Sequence, residues 1–472
     1  MKSNSVSKNI LRLLTQPTGL LISLVLGISL TTIDARAVFV VFLFALLFAF
    51  VRVRVVISLV MSFALGALFV FSNQILAPKN LPVGCSIVRV ATRERPFGSG
   101  ILFKVESDKG VGLVLGSDVY RYNDQIKVCF EEKNIQSASN KYLLSQYRTE
   151  YLIKNPTVEL ASSGKGIIRS IYNLSDNLST LTTRFYGGDE AVLARGLILG
   201  GSSGFSDQTK VNLKRSGTSH IVAVSGYNVS ILTIVIFDLL RSSISKKVAG
   251  IVTPIFLVVF YLLTGGSASV LRASVMGLIV LTSKFVGRRV SAVHLLVLSL
   301  ALMLLLNPYS IYDAGFQLSF AAISGIFFMS GKLNYLLERL LKTKTVVVKI
   351  FSETIAAQIF TLPILLASFG LFSLIAPLAN VVILPLIPLS MLLVAASLAS
   401  GAISEFLGIF IASISAIFLK FFLFTINFLG SLNFASVIVK MPAQLALILY
   451  FAIIYLTVLL GRFVQNEKQK IR

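Results

Sequence analysis

The chain has 472 residues, of which 55% are hydrophobic and 13% are charged, and its mean hydropathy is +0.85. This composition excludes an ordinary soluble globular protein and indicates a chain that crosses a membrane several times. The net charge of +23 fits either basic cytoplasmic loops between spans or contact with nucleic acid.

Apolar runs predict about twelve transmembrane spans, although several are shorter than the roughly 20 residues that a perpendicular helix needs. Three precede a polar insertion and nine follow it, at 19–33, 37–51, 55–76, 219–240, 248–264, 270–286, 291–306, 314–330, 351–369, 374–400, 405–430 and 444–462. The run 374–400 contains three prolines, which predict a broken helix or a re-entrant pair.

Basic residues predict which side of the membrane each loop faces, because short cytoplasmic loops are enriched in Lys and Arg. With the N-terminus inside, the basic loops and the basic C-terminal tail all fall in the cytoplasm, at 52–54, 241–247, 284–289, 332–349 and 462–472. The sequence therefore predicts cytoplasmic termini and an extracytoplasmic insertion at 77–215. That insertion carries 19 basic and 13 acidic residues, so most of the excess charge belongs to the membrane part.

The first part of the insertion, 77–135, has short alternating runs bounded by Gly, Asp and Asn, which predict about five β-strands. Five short strands suit a small, partly open β-barrel of the OB type. Cys85 and Cys129 lie at the two ends of this domain, and thiols outside the cytoplasm tend to be oxidised. We predict a disulfide between the first and last strands, with two unpaired core thiols as the alternative.

The second part of the insertion, 136–215, is predicted to be helical. Apolar residues from Ile167 to Phe185 recur at alternating spacings of four and three, as in an amphipathic helix. That helix would lie in the membrane interface, or it would pack on the β-domain or on the transmembrane bundle. A helix pair is predicted around 189–199 and 207–216, with Asp189 and Ser206 as N-caps.

Three clusters of small and polar residues lie at the outer ends of predicted spans, where buried polar groups cost free energy unless they are paired. They occupy 195–232, 262–274 and 307–326. With polar residues of later spans, they supply the candidate lining of a passage: His220, Ser225, Asn228, Ser267, Arg272, Asp313, Gln317, Gln358, Asn380 and Lys420.

Each candidate has a structural alternative. Arg272 could extend its charged head to the membrane interface, and Asp313 could serve only as an N-cap. Lys420 interrupts an apolar run near the middle of its span, so that span could be misplaced, with Lys420 at an interface. All three clusters could also act only in helix packing.

Signatures of enzymes are mostly missing from the sequence. The two histidines are not clustered with acidic residues, and there is no nucleotide-binding P-loop, so we predict no metal, no cofactor and no built-in ATPase. Ser225 and His220 lie five residues apart without an evident orienting acid, which disfavours nucleophilic catalysis. The sequence predicts a protein that is not an enzyme.

The three clusters, in this order, resemble the ComEC family of competence proteins, the DNA-internalisation channels of bacteria. The resemblance is carried by LARGLILGGSSGFSDQTKVNLKRSGTSHIVAVSGYNVSIL, LLTGGSASVLRASVMGLIVLTSKFVGRR and NPYSIYDAGFQLSFAAISGIF. It implies a channel domain at 216–472, three N-terminal spans at 1–76 and an OB-like extracytoplasmic domain, in a multi-pass protein of the bacterial cytoplasmic membrane. It also implies passage of single-stranded DNA.

Two departures from the family limit what the resemblance implies. Asn228 stands in SGYN where many members have SGLH, which weakens any role for a histidine there. Many members end in a metallo-β-lactamase-like domain, whereas this sequence ends at Arg472 without such a metal motif. We therefore expect a form that lacks this domain.

The implied partners are single-stranded DNA, the lipid bilayer and separate ATPase, DNA-receptor and nuclease proteins, and a homo-oligomer is left open. An OB domain binds single strands through basic and aromatic side chains, for which the nearest candidates are Arg89, Arg93, Arg95, Phe97 and Phe103. Aromatic residues are sparse there, so a docking role is equally open. Other hypotheses are a transporter of another anionic or envelope polymer and a membrane assembly platform.

Overall fold

The computed structural model of the protein describes three stretches of the chain. They are residues 81–137 except 94, 98, 99, 109 and 119, residues 151–287 except 223–225 and 286, and residues 290–471. The predicted N-terminal spans, at 19–33, 37–51 and 55–76, lie outside the described residues. The rest divides into a β-sheet domain followed by a helical bundle.

Eight strands form one sheet: β1 (Gly84–Val90), β2 (Arg95–Phe97), β3 (Gly100–Ser107), β4 (Gly110–Gly116), β5 (Gln125–Phe130), β6 (Ile135–Ser137), β7 (Tyr151–Lys154) and β8 (Thr157–Ser162). The order is β6-β7-β4-β3-β1-β5-β8, with β2 beside β3, and β4–β7 is the parallel pair. Alternate residues of β1, β3 and β5 fill the core. This order is an open path among the described strands, so closure into an OB-type barrel stays a prediction.

The sheet extends past the boundary predicted at 135. β7 pairs with β4 and β6, and β8 pairs with β5, although 136–215 is predicted to be helical. β8 is an edge strand with almost no buried side chain. Main-chain hydrogen bonds hold such a strand, so its sequence does not need the alternation that reveals a strand. The helical prediction is therefore wrong for residues 151–162.

The predicted disulfide is present in the structure. Cys85 of β1 and Cys129 of β5 face each other in the sheet and are bonded. The cysteine pair is confirmed, but the bridge joins the first strand to the fifth of eight rather than to the last.

Reduction of this disulfide should destabilise the β-domain. The bridge closes a loop with a sequence separation of 44, for which chain entropy predicts a loss of about 4 kcal/mol. We expect the full-length Cys85→Ser/Cys129→Ser variant to be cut by protease within 81–137 much faster than the wild type. Equal cleavage rates, with or without reductant, would contradict this.

From Ile167 onward the described chain is almost entirely helical. The helices are α1 (Ile167–Phe185), α2 (Gly188–Ile198), α3 (Asp207–Arg215), α4 (Ser219–Val222), α5 (Gly226–Ser243), α6 (Lys246–Leu263), α7 (Ala268–Phe285), α8 (Ala292–Leu306), α9 (Ala314–Gly325), α10 (Gly331–Leu341), α11 (Val346–Ser368), α12 (Ala376–Ile383), α13 (Ile387–Gly401), α14 (Glu405–Ser431) and α15 (Ala443–Ile471). A π-helical turn joins α9 to α10, and a 3-10 turn joins α12 to α13.

Nine of these helical stretches coincide with the nine spans predicted after the insertion. Six are long and apolar enough to cross a membrane: Ser219–Ser243, Ala314–Leu341, Val346–Ser368, Ala376–Gly401, Glu405–Ser431 and Gln444–Glu467. Val248–Leu263, Ser269–Ser283 and Ala292–Leu306 are shorter apolar helices. The proline-containing run forms a single stretch interrupted at Leu384–Leu386, which agrees with the broken-helix alternative.

Loops predicted on one side of the membrane meet in the structure. The strands β9 (Leu371–Ser373) and β10 (Ser436–Ile438) pair, so the loop after α11 lies beside the loop after α14. Elsewhere, Lys332 Nζ donates to Thr457 O at 2.9 Å, and Arg339 forms an ion pair with Glu467. The extracytoplasmic and cytoplasmic assignments of these loops remain predictions.

The segment α1–α3 lies against α14 along the whole length of that helix. Arg184 pairs with Glu405 at the start of α14, and Arg215 Nη2 donates to Leu432 O just beyond its end, at 2.6 Å. A helix of 27 residues is about 40 Å long. Side chains of α2 and α3 share a core with α13 and α14, so this segment belongs to the helical bundle rather than to a separate insertion.

The amphipathic helix α1 accordingly packs on the bundle, which was one of the predicted alternatives. Leu178, Leu181 and Phe185 lie against the core of α13 and α14. Close packing at the crossing depends on small residues, because a methyl group on Gly401 would lie 2.4 Å from the Phe185 ring.

Candidate functional site

Arg93 connects the β-domain to the helical bundle. Its Nη1 donates to Ser175 Oγ of α1 at 2.8 Å and to Leu263 O at the end of α6 at 3.4 Å. Its Nη2 pairs with Asp176. These contacts engage the guanidinium, so Arg93 links the two domains in this conformation, in agreement with the docking alternative, and its role as a DNA contact stays a prediction.

A second connection joins Asp124 of the sheet domain to Arg169 of α1. Burial opposes ionisation of the Asp124 carboxyl, but hydrogen bonds from Arg169 and from the N–H groups of Gly164 and Arg121 outweigh it, so its pKa lies below the ordinary value. The carboxylate therefore stabilises the contact between the sheet and α1.

This connection should weaken in acid. Because the folded pKa of Asp124 is lowered, its contribution is present above pH ~4 and is lost as the pH falls through the lower folded value. We expect Asp124→Asn to speed hydrogen exchange at the start of α1 at pH 7. The difference from the wild type should shrink as the pH falls below the ordinary Asp value of ~4 and through the lowered pKa of Asp124. A difference that does not change with pH would contradict this.

The remaining candidates in the β-domain differ in their placement. Arg89 is exposed and pairs with Glu106. Phe103 is 0% exposed in the sheet core, with its ring 5.7 Å from Tyr120, so the prediction that it stacks on bases is corrected. In the structure, Phe103 lies on the inward face of β3. Arg95 and Phe97 lie on β2, and their side chains lie outside the described part.

The first polar cluster brings one exposed and one buried candidate to the start of α5. His220 is exposed on α4, with Nδ1 3.0 Å from Gly217 O. Asn228 is fully buried, with Nδ2 3.5 Å from Leu197 O. Ser225 lies outside the described residues. The buried amide joins α5 to α2, so its observed contact supports helix packing.

The second cluster forms a tight turn that starts α7. Gly265 and Gly266 have φ angles of 72° and 73°, in a backbone region that residues with a side chain rarely adopt. Ser267 Oγ then accepts from Val270 N at 3.3 Å, which is a cap interaction. This turn places Arg272 just over one helical turn into α7.

The third cluster has local structural roles. Asp313 Oδ1 accepts from Phe316 N at 2.8 Å, so Asp313 is the N-cap of α9, as the alternative predicted. Gln317 Nε2 donates to Ile311 O at 2.6 Å. Both side chains are almost fully buried. The pair thus fixes the turn before α9.

Arg272 is where the three clusters meet. A methyl group built on Gly226, in the first cluster, would lie 3.6 Å from Arg272 Nη2. The guanidinium carbon lies 5.9 Å from the ring centre of Phe320, in the third cluster. Arg272 is 3% exposed, so it does not reach the surface as the interface alternative requires.

The hydrogen bonds of Arg272 are incomplete. Nη2 donates to Ser269 Oγ at 3.2 Å, whereas Nε and Nη1 have no hydrogen-bond partner among the described residues. The sequence pointed to Arg272 itself but not to Gly226 and Phe320 as its neighbours. Gly226 and Phe320 could have been suspected only because each lies within one of the other two clusters.

The remaining candidates contact residues other than Arg272. Gln358 Nε2 donates to Ser373 O at 2.9 Å, and Asn380 Nδ2 lies 3.4 Å from Thr354 Oγ1. Lys420 is 68% exposed, with Nζ 4.0 Å from Glu190. This salt bridge was not predicted, because Glu190 belongs to a segment expected outside the membrane.

A further arginine lies near Arg93. Partial burial and the charge of Arg93 both lower the pKa of Arg195, whose Nη2 donates to Ser203 O. No local sequence pattern links these two cations, because Arg195 lies more than 100 positions further along the chain.

The described parts of the chain contain no group of candidate metal ligands. No three side chains of His, Cys, Asp or Glu come together there as a metal site.

A bundle of apolar helices with a small sheet domain attached defines a multi-pass membrane protein. The chain belongs to the competence protein family, whose model matches residues 197–463. That range contains nearly all of the first cluster and the whole of the other two.

The chain is also 28% identical over 284 residues to ComE operon protein 3 of Bacillus subtilis (strain 168). The match covers 60% of this chain and 34% of that relative, so it spans about a third of the relative's length. No solved structure matches the chain.

Proposed function

We propose that the protein takes part in DNA uptake during competence and passes single-stranded DNA across the cytoplasmic membrane. The observation that carries this proposal is the meeting of three polar clusters at Arg272, inside the range that matches the competence family. The name of the Bacillus relative, ComE operon protein 3, agrees with it.

The physical argument rests on the phosphate backbone. Every nucleotide brings a negative charge, which is costly to move through hydrocarbon unless cations and polar groups face it. The first such group in this proposal is Arg195, which lies close enough to Arg93 for their charges to interact. The buried Arg272 is the next cation in the proposed path. A strand would thus meet cations before it meets apolar helix surface.

The β-domain, in this proposal, is an extracytoplasmic OB-like domain that is fixed over the passage. Its links through Arg93 and Asp124 support a docking role, because both join it to α1. Exposed Arg89 and β2 are its remaining candidates for contact with a strand. The proposal includes no catalytic step and assigns energy supply and nuclease activity to separate proteins.

Transport of another anionic polymer is the second candidate function. A lone buried guanidinium recognises negative charge but no particular sugar or base, which favours this alternative over a receptor or platform. The two candidates differ in cells, because loss of an envelope polymer alters the envelope whereas loss of DNA uptake does not.

The test is a clean deletion in a transformable host that has no second copy. We expect transformation to fall at least a thousandfold and to return with a plasmid copy, while envelope composition stays normal. Normal transformation together with an altered envelope would instead support the second candidate.

A further inference from the structure

The Arg272 guanidinium is buried without an observed counter-anion. Arg272 is 3% exposed. Among the described residues, its only hydrogen-bond partner is Ser269 Oγ, which lies 3.2 Å from Nη2. Nε and Nη1 are shielded from solvent and have no partner there. Three N–H donors, one on Nε and two on Nη1, are therefore unused.

A cation in this state is strongly unfavourable, because burial removes its hydration and no carboxylate replaces it. Packing alone does not explain it, since an apolar side chain of similar length would fill the same space without that penalty. The unused donors therefore point to an anion that is bound only at some stage of the protein's work.

We infer that Arg272 binds a phosphodiester group of the transported strand, an inference that rests on the proposed function. A guanidinium is always charged, and its planar N–H donors match the oxygens of a phosphate. The Phe320 ring packs near the guanidinium, and Gly226 places no side chain beside Nη2. The site binds one phosphate at a time and contacts no base.

The observed conformation is a closed state of this site. Nε and Nη1 are covered, so α5, α7 and α9 must separate for a phosphate to reach them. Binding of the phosphate supplies the missing counter-anion, which favours the separated state when a strand is present.

The experiment uses the full-length protein in nanodiscs of phosphatidylcholine, with a fluorescent single-stranded oligonucleotide as the probe. Affinity is measured over a salt series for the wild type, Arg272→Gln and Arg272→Lys. The matched control is Arg241→Gln. Arg241 lies near the end of α5 opposite Gly226, and it is exposed and paired with Asp238.

We expect Arg272→Gln to weaken binding about tenfold or more, as for loss of a hydrogen bond to a charged group. Its plot of log affinity against log salt should lose about 0.7 of slope, the share of one phosphate on a single strand. Arg272→Lys keeps the charge, so it should keep the slope but lose affinity. Arg241→Gln should match the wild type.

Unchanged affinity and slope in Arg272→Gln would overturn the inference. If that variant does not fold, the wild type decides, since an oligonucleotide with an uncharged methylphosphonate backbone should bind at least tenfold more weakly than the phosphodiester. Equal binding of the two backbones would overturn it.

A lipid phosphodiester is the competing source of the same chemistry. If phosphatidylglycerol raises the melting temperature of the wild type but not of Arg272→Gln, and the DNA slope does not change, the ligand is a lipid and the inference fails. Uptake that is lost on deletion but intact in Arg272→Gln would also refute the inference while leaving the proposed function in place. Uptake that persists on deletion would refute the proposed function.

Discussion

Gly325→Ala should prevent accumulation of folded protein, although alanine is the better helix former. A Cβ atom on Gly325 would lie 2.3 Å from the main-chain oxygen of Ala356 and 3.1 Å from Phe360 Cβ. Backbone cannot move aside as a flexible side chain can, so α9 and α11 must separate. Overpacking of this kind costs about 1–3 kcal/mol, occasionally more.

Gly331→Ala is the matched control for this prediction. Gly331 begins α10 in the same long helical stretch, and a methyl group there would have no described heavy atom within 4 Å. Alanine should be neutral there or stabilise the helix by up to about 1 kcal/mol. The measurement is the yield of monodisperse protein and its unfolding temperature, and equal values for the two variants would contradict the observed crossing of α9 and α11.

Charge reversal at the joint between the β-domain and the bundle should abolish most DNA uptake. Arg93→Asp places a second carboxylate beside Asp176 and removes the donors to Ser175 and Leu263. We expect transformation to fall at least tenfold for Arg93→Asp and for Asp176→Arg. The double exchange should recover part of the loss, because the ion pair returns while the hydrogen bond to Leu263 O does not.

The control for the exchange is Lys127 with Glu159, an exposed pair on β5 and β8 with 3.9 Å between charged atoms. Exposed pairs contribute little, so reversal there should leave transformation near the wild-type value. Loss of uptake from both pairs, or no recovery in the Arg93–Asp176 exchange, would show that the joint has no specific role.

The apolar helices were predictable because their hydropathy is a local property of the sequence. The nine runs after the insertion all correspond to observed helices, and Ser206 and Asp313 cap helices where predicted. Asp189 does not cap α2. Its carboxylate instead accepts from Ser206 and Thr209 of the next helix, a tertiary contact that no local pattern shows.

The β-domain was predicted in part for the same reason. Alternation identified the core strands, and the positions of Cys85 and Cys129 indicated their pairing, but β8 is exposed and lacks the alternating pattern. The prediction for Phe103 failed for a related reason. Alternation separates the two faces of a strand but does not show which face is buried.

The position of α1–α3 along α14 could not be predicted from the sequence. Those helices are polar enough to be assigned to the insertion, and their contacts depend on residues more than 200 positions apart, such as Arg184 and Glu405. The candidate site was predicted as a set of polar residues. Which of the described candidates lies at the meeting point of the three clusters, namely Arg272, depends on helix packing.

The most direct measurement of the central claim follows labelled DNA into the cell. A deletion strain carrying the wild-type gene should hold nuclease-resistant, single-stranded label in the cytoplasm, and the strain without it should keep the label outside. Label that reaches the cytoplasm at the same rate without the protein would contradict the claim that the strand passes through this bundle.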